Sequence, residues 1–208
     1  MRSIDINTWK RKEHFTFFSQ FDEPFFGIVS EIDCTIAFNK AKDQKLSFFA
    51  YYLHKVLLTI NKIEEFRYRI DGENVVLYDA IHASATIGRK DETFAFSFVE
   101  YSPDFSTFMA SLSNEIEAVK NSKGLRLNEV AIRNDVIHFS SIPWVKFTGL
   151  THSRNFKFQD SAPKISVGKI EANNGKIMMP VSVNAYHGFV DGLHVGKFFD
   201  LFQKHMNE

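Results

Sequence analysis

The chain has 208 residues, 44% hydrophobic and 24% charged, the makeup of a soluble globular protein with a substantial core. Its 25 basic and 25 acidic residues cancel, which excludes the basic surplus that a general nucleic-acid binder sets against phosphates. Cys34 is the only cysteine, so neither an intrachain disulfide nor a CxxC metal site can form.

In chain order, "MRSIDINTWKRKEHF" lacks the apolar run of a signal peptide and no later run approaches a membrane span; the expected location is cytoplasmic, with no membrane partner. "GIVSEIDCT" reads as a strand. In "SFFAYYLHKVLLTINKI", Phe48, Phe49, Tyr52, Leu53, Val56, Leu57 and Ile60 form one helical stripe, with Ser47 as its N-cap. His54 on that helix is expected at a surface or interface. "FRYRIDGENVVLYD" predicts a hairpin turning near Asp71-Gly72. "FAFSFVEY" sets Phe94, Phe96 and Phe98 on one face, the period-2 signature of a half-buried strand. A second helix follows in "DFSTFMASLSNEIEAV", then a strand in "DVIHFSS". "KISVGKIEANNGKIMMPVSV" predicts a hairpin around Asn174-Gly175, with Pro180 at a bulge or an edge. Val195, Phe198, Phe199 and Phe202 mark a C-terminal helix.

No Pro/Gly/Ser linker, repeat or low-complexity tract interrupts the chain, so a single domain over residues 1–208 is expected. Strands and helices in irregular alternation predict an α+β fold, a two-layer sandwich with helices packed on a mixed sheet. The 23 phenylalanines imply aromatic packing in the core, at a subunit interface or in a flat-walled pocket.

The stretch "NAYHGFVDGLHVG" (184–196) places His187 and Asp191 four apart, with a glycine after the aspartate, between a strand and a helix. A base for a hydroxyl must be neutral near pH 7, and a histidine of ordinary pKa about 6.5 suits that task. Alone, HxxxDG leaves a satisfied loop histidine and a catalytic one equally open.

Three further stretches accompany it in order and spacing: "WKRKEHF" (9–15), "FSSIPW" (139–144) and "APKISVGK" (162–169). Together the four resemble the chloramphenicol acetyltransferases, coenzyme A-dependent O-acetyltransferases, along the whole chain. The resemblance implies a fold of that type and a homotrimer with each active site between two subunits. It makes His187 the base that takes the acceptor proton. Asp191 pairs with Arg11 to hold the loop in shape, and Ser140 donates to the oxyanion. Ser166, on the substrate side, orders a water near the same intermediate. Lys169, Lys45 and Trp144 fall on the side of acetyl-CoA, the co-substrate. No metal is required, because both substrates can be held together for direct transfer. A cavity lined by Phe17, Phe18 and Phe26 would suit an aromatic, weakly polar small-molecule acceptor.

Two departures bear on the acceptor. Tyr186 stands where many family members carry a second histidine. In "FDEPFFG", Asp22 and Glu23 replace apolar or small residues, so either they point to solvent or the acceptor is not chloramphenicol. The expected activity is antibiotic inactivation by acetylating a hydroxyl of chloramphenicol. The alternatives are the same chemistry on another hydroxylated acceptor, or a homologue that binds hydrophobic ligands without turnover.

Overall fold

The computed structural model describes residues 1–128 and 133–208. Its elements run β1 (Arg2–Ser3), α1 (Lys12–Phe18), β2 (Phe25–Asp33), α2 (Thr35–Asp43), α3 (Phe48–Lys62), a 3₁₀ turn (Glu64–Arg67), β3 (Tyr68–Asp71) and β4 (Asn74–Leu77). They continue with β5 (His82–Gly88), β6 (Phe94–Phe96), α4 (Phe105–Lys120), β7 (Val136–Ile142), β8 (Lys164–Gly168), β9 (Glu171–Asn173), β10 (Lys176–Tyr186) and α5 (Gly192–Met206). One sheet orders its strands β2-β10-β8-β7-β5-β6, with β9 also on β10; a smaller one is β1-β4-β3. β5, β7 and β8 run parallel and the other pairings are antiparallel, so the sheet is mixed and the fold is α+β.

The periodic helices form where the apolar stripes placed them. Ser47 caps α3 by accepting from the Ala50 amide, and Asp104 caps α4 by accepting from Thr107. Both hairpins turn at their glycines: Gly72 has φ 59°, and Asn174 and Gly175 have φ 49° and 79°, the left-handed pair that a two-residue hairpin turn requires. Pro180 sits within β10 at a bulge, as expected: between the Val181–Val167 and Met178–Glu171 pairs, residues 168–170 stand opposite Met179 and Pro180. It pairs with Glu31 of β2, while its other side falls between the last residue paired to β9 and the first paired to β8, where no ladder bond is needed.

Two expectations are corrected. In β6 and the residues after it, the buried side chains are Ala95, Ser97 and Val99, whereas Phe94 is 46% exposed. Small side chains allow close approach to β5, so the phenylalanine row faces outward; period 2 marks a strand without saying which row is inside. His54 is buried, with Nε2 against the Ser102 carbonyl oxygen at 3.0 Å and its ring against Phe105 and Phe108.

Alternation gives the large sheet two unlike faces. On one, Ala83 and Ala85 of β5, Ile137 and Phe139 of β7, Ile165 and Val167 of β8, and Val181 and Val183 of β10 stand side by side, all buried. Helix α3 packs there, with Phe49 and Tyr52 against Phe139. On the other face the same strands carry Ser84, His138, Ser140, Lys164, Ser166, Ser182 and Asn184. A one-residue slip would exchange the faces, and burying each large apolar side chain is worth about 1.5–3 kcal/mol, so the register is firmly set.

Candidate active site

The loop from β10 into α5 is built around Arg11. The guanidinium is 6% exposed and holds three groups of that loop: the Asp191 carboxylate at 3.0 Å, the Gly188 carbonyl oxygen at 3.3 Å and the His187 carbonyl oxygen at 3.5 Å. Asp191 is also the N-cap of α5, accepting from the Leu193 amide, while His194 Nδ1 accepts from the Asp191 amide to complete a capping box. Burial alone would raise the Asp191 pKa, but the Arg11 hydrogen bond and charge, with neighbouring donors, hold it below the ordinary carboxylate value. His194, kept uncharged by burial, turns its Nε2 toward Glu65 at 3.3 Å and ties the helix start to the 3₁₀ turn.

His187 follows β10, and its amide donates to the Pro24 carbonyl oxygen. Its ring lies between two phenylalanines: Phe18 stacks at 4.0 Å and 14°, and Phe26 lies at 4.4 Å. Nδ1 is 3.1 Å from the Val190 carbonyl oxygen. A carbonyl can only accept, so Nδ1 carries the proton and Nε2 keeps its lone pair. Gly188 allows the loop to close: a Cβ there would come within 2.5 Å of the Tyr186 ring. Phe17, on the same helix as Phe18, is 58% exposed and packs on Phe18 and Phe21.

Ser140 and Ser166 are brought together on the polar face, as register partners on β7 and β8. Thr86 lies 3.4 Å from Ser140 Oγ and donates to it, leaving the Ser140 proton free to donate outward, and Ser166 Oγ is buried without a partner. Beyond them, at the C-terminal ends of the same strands, the Lys169 amide donates to the Val145 carbonyl oxygen beside Trp144, which is 79% exposed. Lys45 lies in the turn from α2 to α3, exposed, with φ 55°. Cys34 is no candidate nucleophile: it is buried, its thiol donates to the Ile177 carbonyl oxygen, and burial pushes its pKa up to about 12.

Within one chain these two groups do not meet. Ser140 pairs with Ser166, Ser166 pairs with Ser182, and His187 lies five residues past Ser182 and two strands over from Ser140. At about 3.4 Å per residue and about 4.8 Å per strand, the separation is roughly 19 Å. The imidazole also packs on Phe26, which pairs with Ala185 on the helix-covered face, opposite Ser140.

The family model described as chloramphenicol acetyltransferase matches residues 1–203. The chain belongs to the chloramphenicol acetyltransferase family. Chloramphenicol acetyltransferase 2 of Haemophilus influenzae is 27% identical over 201 residues, 96% of this chain and 94% of that protein. A solved chloramphenicol acetyltransferase superposes with a TM-score of 0.91 at 32% identity, covering 99% of this chain and all of the other. The truncated catalytic core of a 2-oxoacid dehydrogenase complex from Thermoplasma acidophilum shares the fold, with a TM-score of 0.70 at 15% identity. The family's acetyltransferase chemistry extends to this chain over its whole length.

Two features of the site were not found from the sequence. Phe18 and Phe26, expected as cavity walls, clamp the imidazole itself. The polar face continues from Ser140 and Ser166 to His138 and Lys164, two register pairs earlier. The signal for those two was their spacing, since residues two apart on a strand share a face. Glu23, placed in doubt as a pocket residue, is ion-paired to Arg154 and accepts from the Phe25 amide at 3.0 Å; Asp22 is exposed.

Proposed function

We propose that the protein transfers an acetyl group from acetyl-CoA to a hydroxyl of chloramphenicol, with His187 of one copy working against Ser140 of the next in a homotrimer. His187 Nε2 takes the acceptor proton as the oxygen attacks the thioester carbon. The carbonyl electron pair moves onto oxygen, where the Ser140 hydroxyl donates to it, and Ser166 orders a water at the same centre. Collapse breaks the carbon–sulfur bond, and the proton held on Nε2 passes to the departing sulfur. A positioned base contributes roughly 10²- to 10⁴-fold and one oxyanion donor roughly 10²-fold or more; holding the two substrates together supplies the rest.

The observation that carries this reading is the fixed tautomer of His187, with Nδ1–H spent on Val190 and Nε2 left basic, in a loop pinned by Arg11. The assembly is supported by the wide separation of His187 and Ser140 and by apolar surface at Phe17, Phe21, Phe156 and Phe158, each 45% exposed or more. Lys169, Trp144 and Lys45 are assigned to coenzyme A. Among the described residues no helix is long and apolar enough to cross a membrane, which fits work in the cytoplasm. The test is thiol release from acetyl-CoA in the presence of chloramphenicol, with acetylated product identified by mass. Wild-type protein should release thiol and His187→Ala should not; a variant retaining near-wild-type rate removes the proposal. The same chemistry on a different hydroxylated acceptor is the second reading, favoured by the charged groups beside Ser140 and Ser166.

A further inference from the structure

Arg11 is not the only anchor of the loop that carries His187. The peptide unit joining Val190 to Asp191 is held at both ends: its carbonyl oxygen accepts from His187 Nδ1 at 3.1 Å, and its amide donates to His194 Nδ1 at 3.1 Å. A trans peptide group is planar, with C=O and N–H pointing opposite ways, so a ring bound at one end fixes where the other end aims. On its far side His194 turns Nε2 to the Glu65 carboxylate at 3.3 Å, and Lys10 lies 3.4 Å from the same oxygen.

The directions of these bonds follow from the groups themselves. A carboxylate can only accept, so His194 Nε2 carries the proton, and an uncharged ring then leaves Nδ1 to accept from the amide. Desolvation, the largest influence on His194, lowers its pKa; Arg11 and Lys197 act the same way, against Glu65 and Asp191. Burial alone would raise the Glu65 pKa, but its own amide, His194 and Lys10 hold it below the ordinary carboxylate value, so Glu65 is an anion. From His187 Nδ1–H through the peptide and His194 Nε2–H to Glu65, every donor points the same way. Hydrogen bonds lined up head to tail polarise one another, and this chain is sheltered, since His194 and Glu65 are both buried.

Resting on the acetyl-transfer reading above, we propose that His194 and Glu65 are positioning residues for the base: through the Val190–Asp191 peptide they hold His187 in the tautomer that leaves Nε2 free. In the other tautomer Nε2 carries a proton and cannot take one from the acceptor. The Asp191 carboxylate has a separate task, since it goes to Arg11 and the Leu193 amide.

The test has a spectroscopic arm and a kinetic one. Long-range proton–nitrogen NMR spectra of histidine-labelled protein at about pH 7, assigned with His187→Ala and His194→Gln, should show opposite neutral tautomers, Nδ1–H in His187 and Nε2–H in His194. These two assignments do not depend on whether His194→Leu folds. In His194→Leu, which removes the acceptor, the His187 signals should move toward a mixture of tautomers. In His194→Gln they should stay, because a glutamine at the third helical position can accept from the capping residue's amide as the imidazole does. In thiol release with chloramphenicol, His194→Leu should lose about tenfold in kcat with each KM within about twofold, and His194→Gln should recover most of it. Glu65→Leu combined with His194→Leu should be no slower than His194→Leu alone, because both break one chain. An Nδ1–H tautomer at His194, which would donate to Asp191 Oδ1 2.9 Å away, overturns the proposal. So does a His187 spectrum unmoved by His194→Leu, or an equal loss of kcat in the leucine and glutamine variants. Absence of thiol release from the wild type would count against the acetyl-transfer reading, and the spectra would still decide how His187 is held.

Discussion

Ser140 lies on the polar face of the large sheet, whereas His187, in the loop past β10, packs on Phe26 of the opposite, helix-covered face, with β8 between β7 and β10. In the proposed mechanism an oxyanion donor and a base for the attacking hydroxyl must both reach one reacting centre, so the proposed site is completed by a second copy. Ser140→Ala should lower kcat by about 10²-fold and change neither KM by more than about twofold, because the hydroxyl acts only as charge develops on oxygen. Steady-state kinetics in both substrates check this.

Arg11 reaches the loop that carries His187 at three points, so in the proposed mechanism it sets where the imidazole stands without touching the reaction. Arg11→Met should reduce kcat on the order of tenfold to a hundredfold through misplacement of His187. It should also destabilise the fold by about 1–3 kcal/mol at pH 7, since Asp191 loses its main partner. The folded pKa of Asp191 lies below its unfolded value, so the stability it contributes is present above about pH 4 and is lost as the pH falls through the folded value. Urea unfolding from pH 7 down to pH 3 should show the gap between wild type and variant closing at the acid end.

Gly188 has no room for a methyl group, with Tyr186 Cε1 2.5 Å and Phe15 Cα 3.3 Å from where the Cβ would stand. Gly188→Ala should therefore displace the Tyr186 ring or the loop, losing about 1–3 kcal/mol of stability and most of the activity. Thermal unfolding and thiol release measure the two effects. Gly192, where a Cβ meets nothing within 4 Å, is the matched control: Gly192→Ala should change both far less.

The elements that could be read from sequence are those whose burial is local and periodic. Helix α3 buries Tyr52, Leu53, Val56, Leu57 and Ile60 of its apolar stripe and α5 starts at a capping aspartate, so both were legible. Helix α1 escaped notice because it is seven residues long and buries none of them. The phenylalanines of β6 misled for a related reason: what sits under α4 and β5 is decided by how closely strands approach, a tertiary matter. Within the site, Arg11 and Asp191 lie 180 residues apart, and only the family resemblance joined them ahead of the structure. His138 and Lys164 become neighbours through the register of two parallel strands, which no local pattern encodes.

The measurement that bears most directly on the central claim mixes two inactive proteins. His187→Ala and Ser140→Ala chains, unfolded together and refolded, should form trimers in which some sites join an intact imidazole from one copy to an intact hydroxyl from the next. Random assembly makes about a quarter of the sites complete, so thiol release should recover to about a quarter of the wild-type rate. Refolded separately, each variant should stay at its own low rate. A mixture no more active than its two components would contradict a site shared between copies.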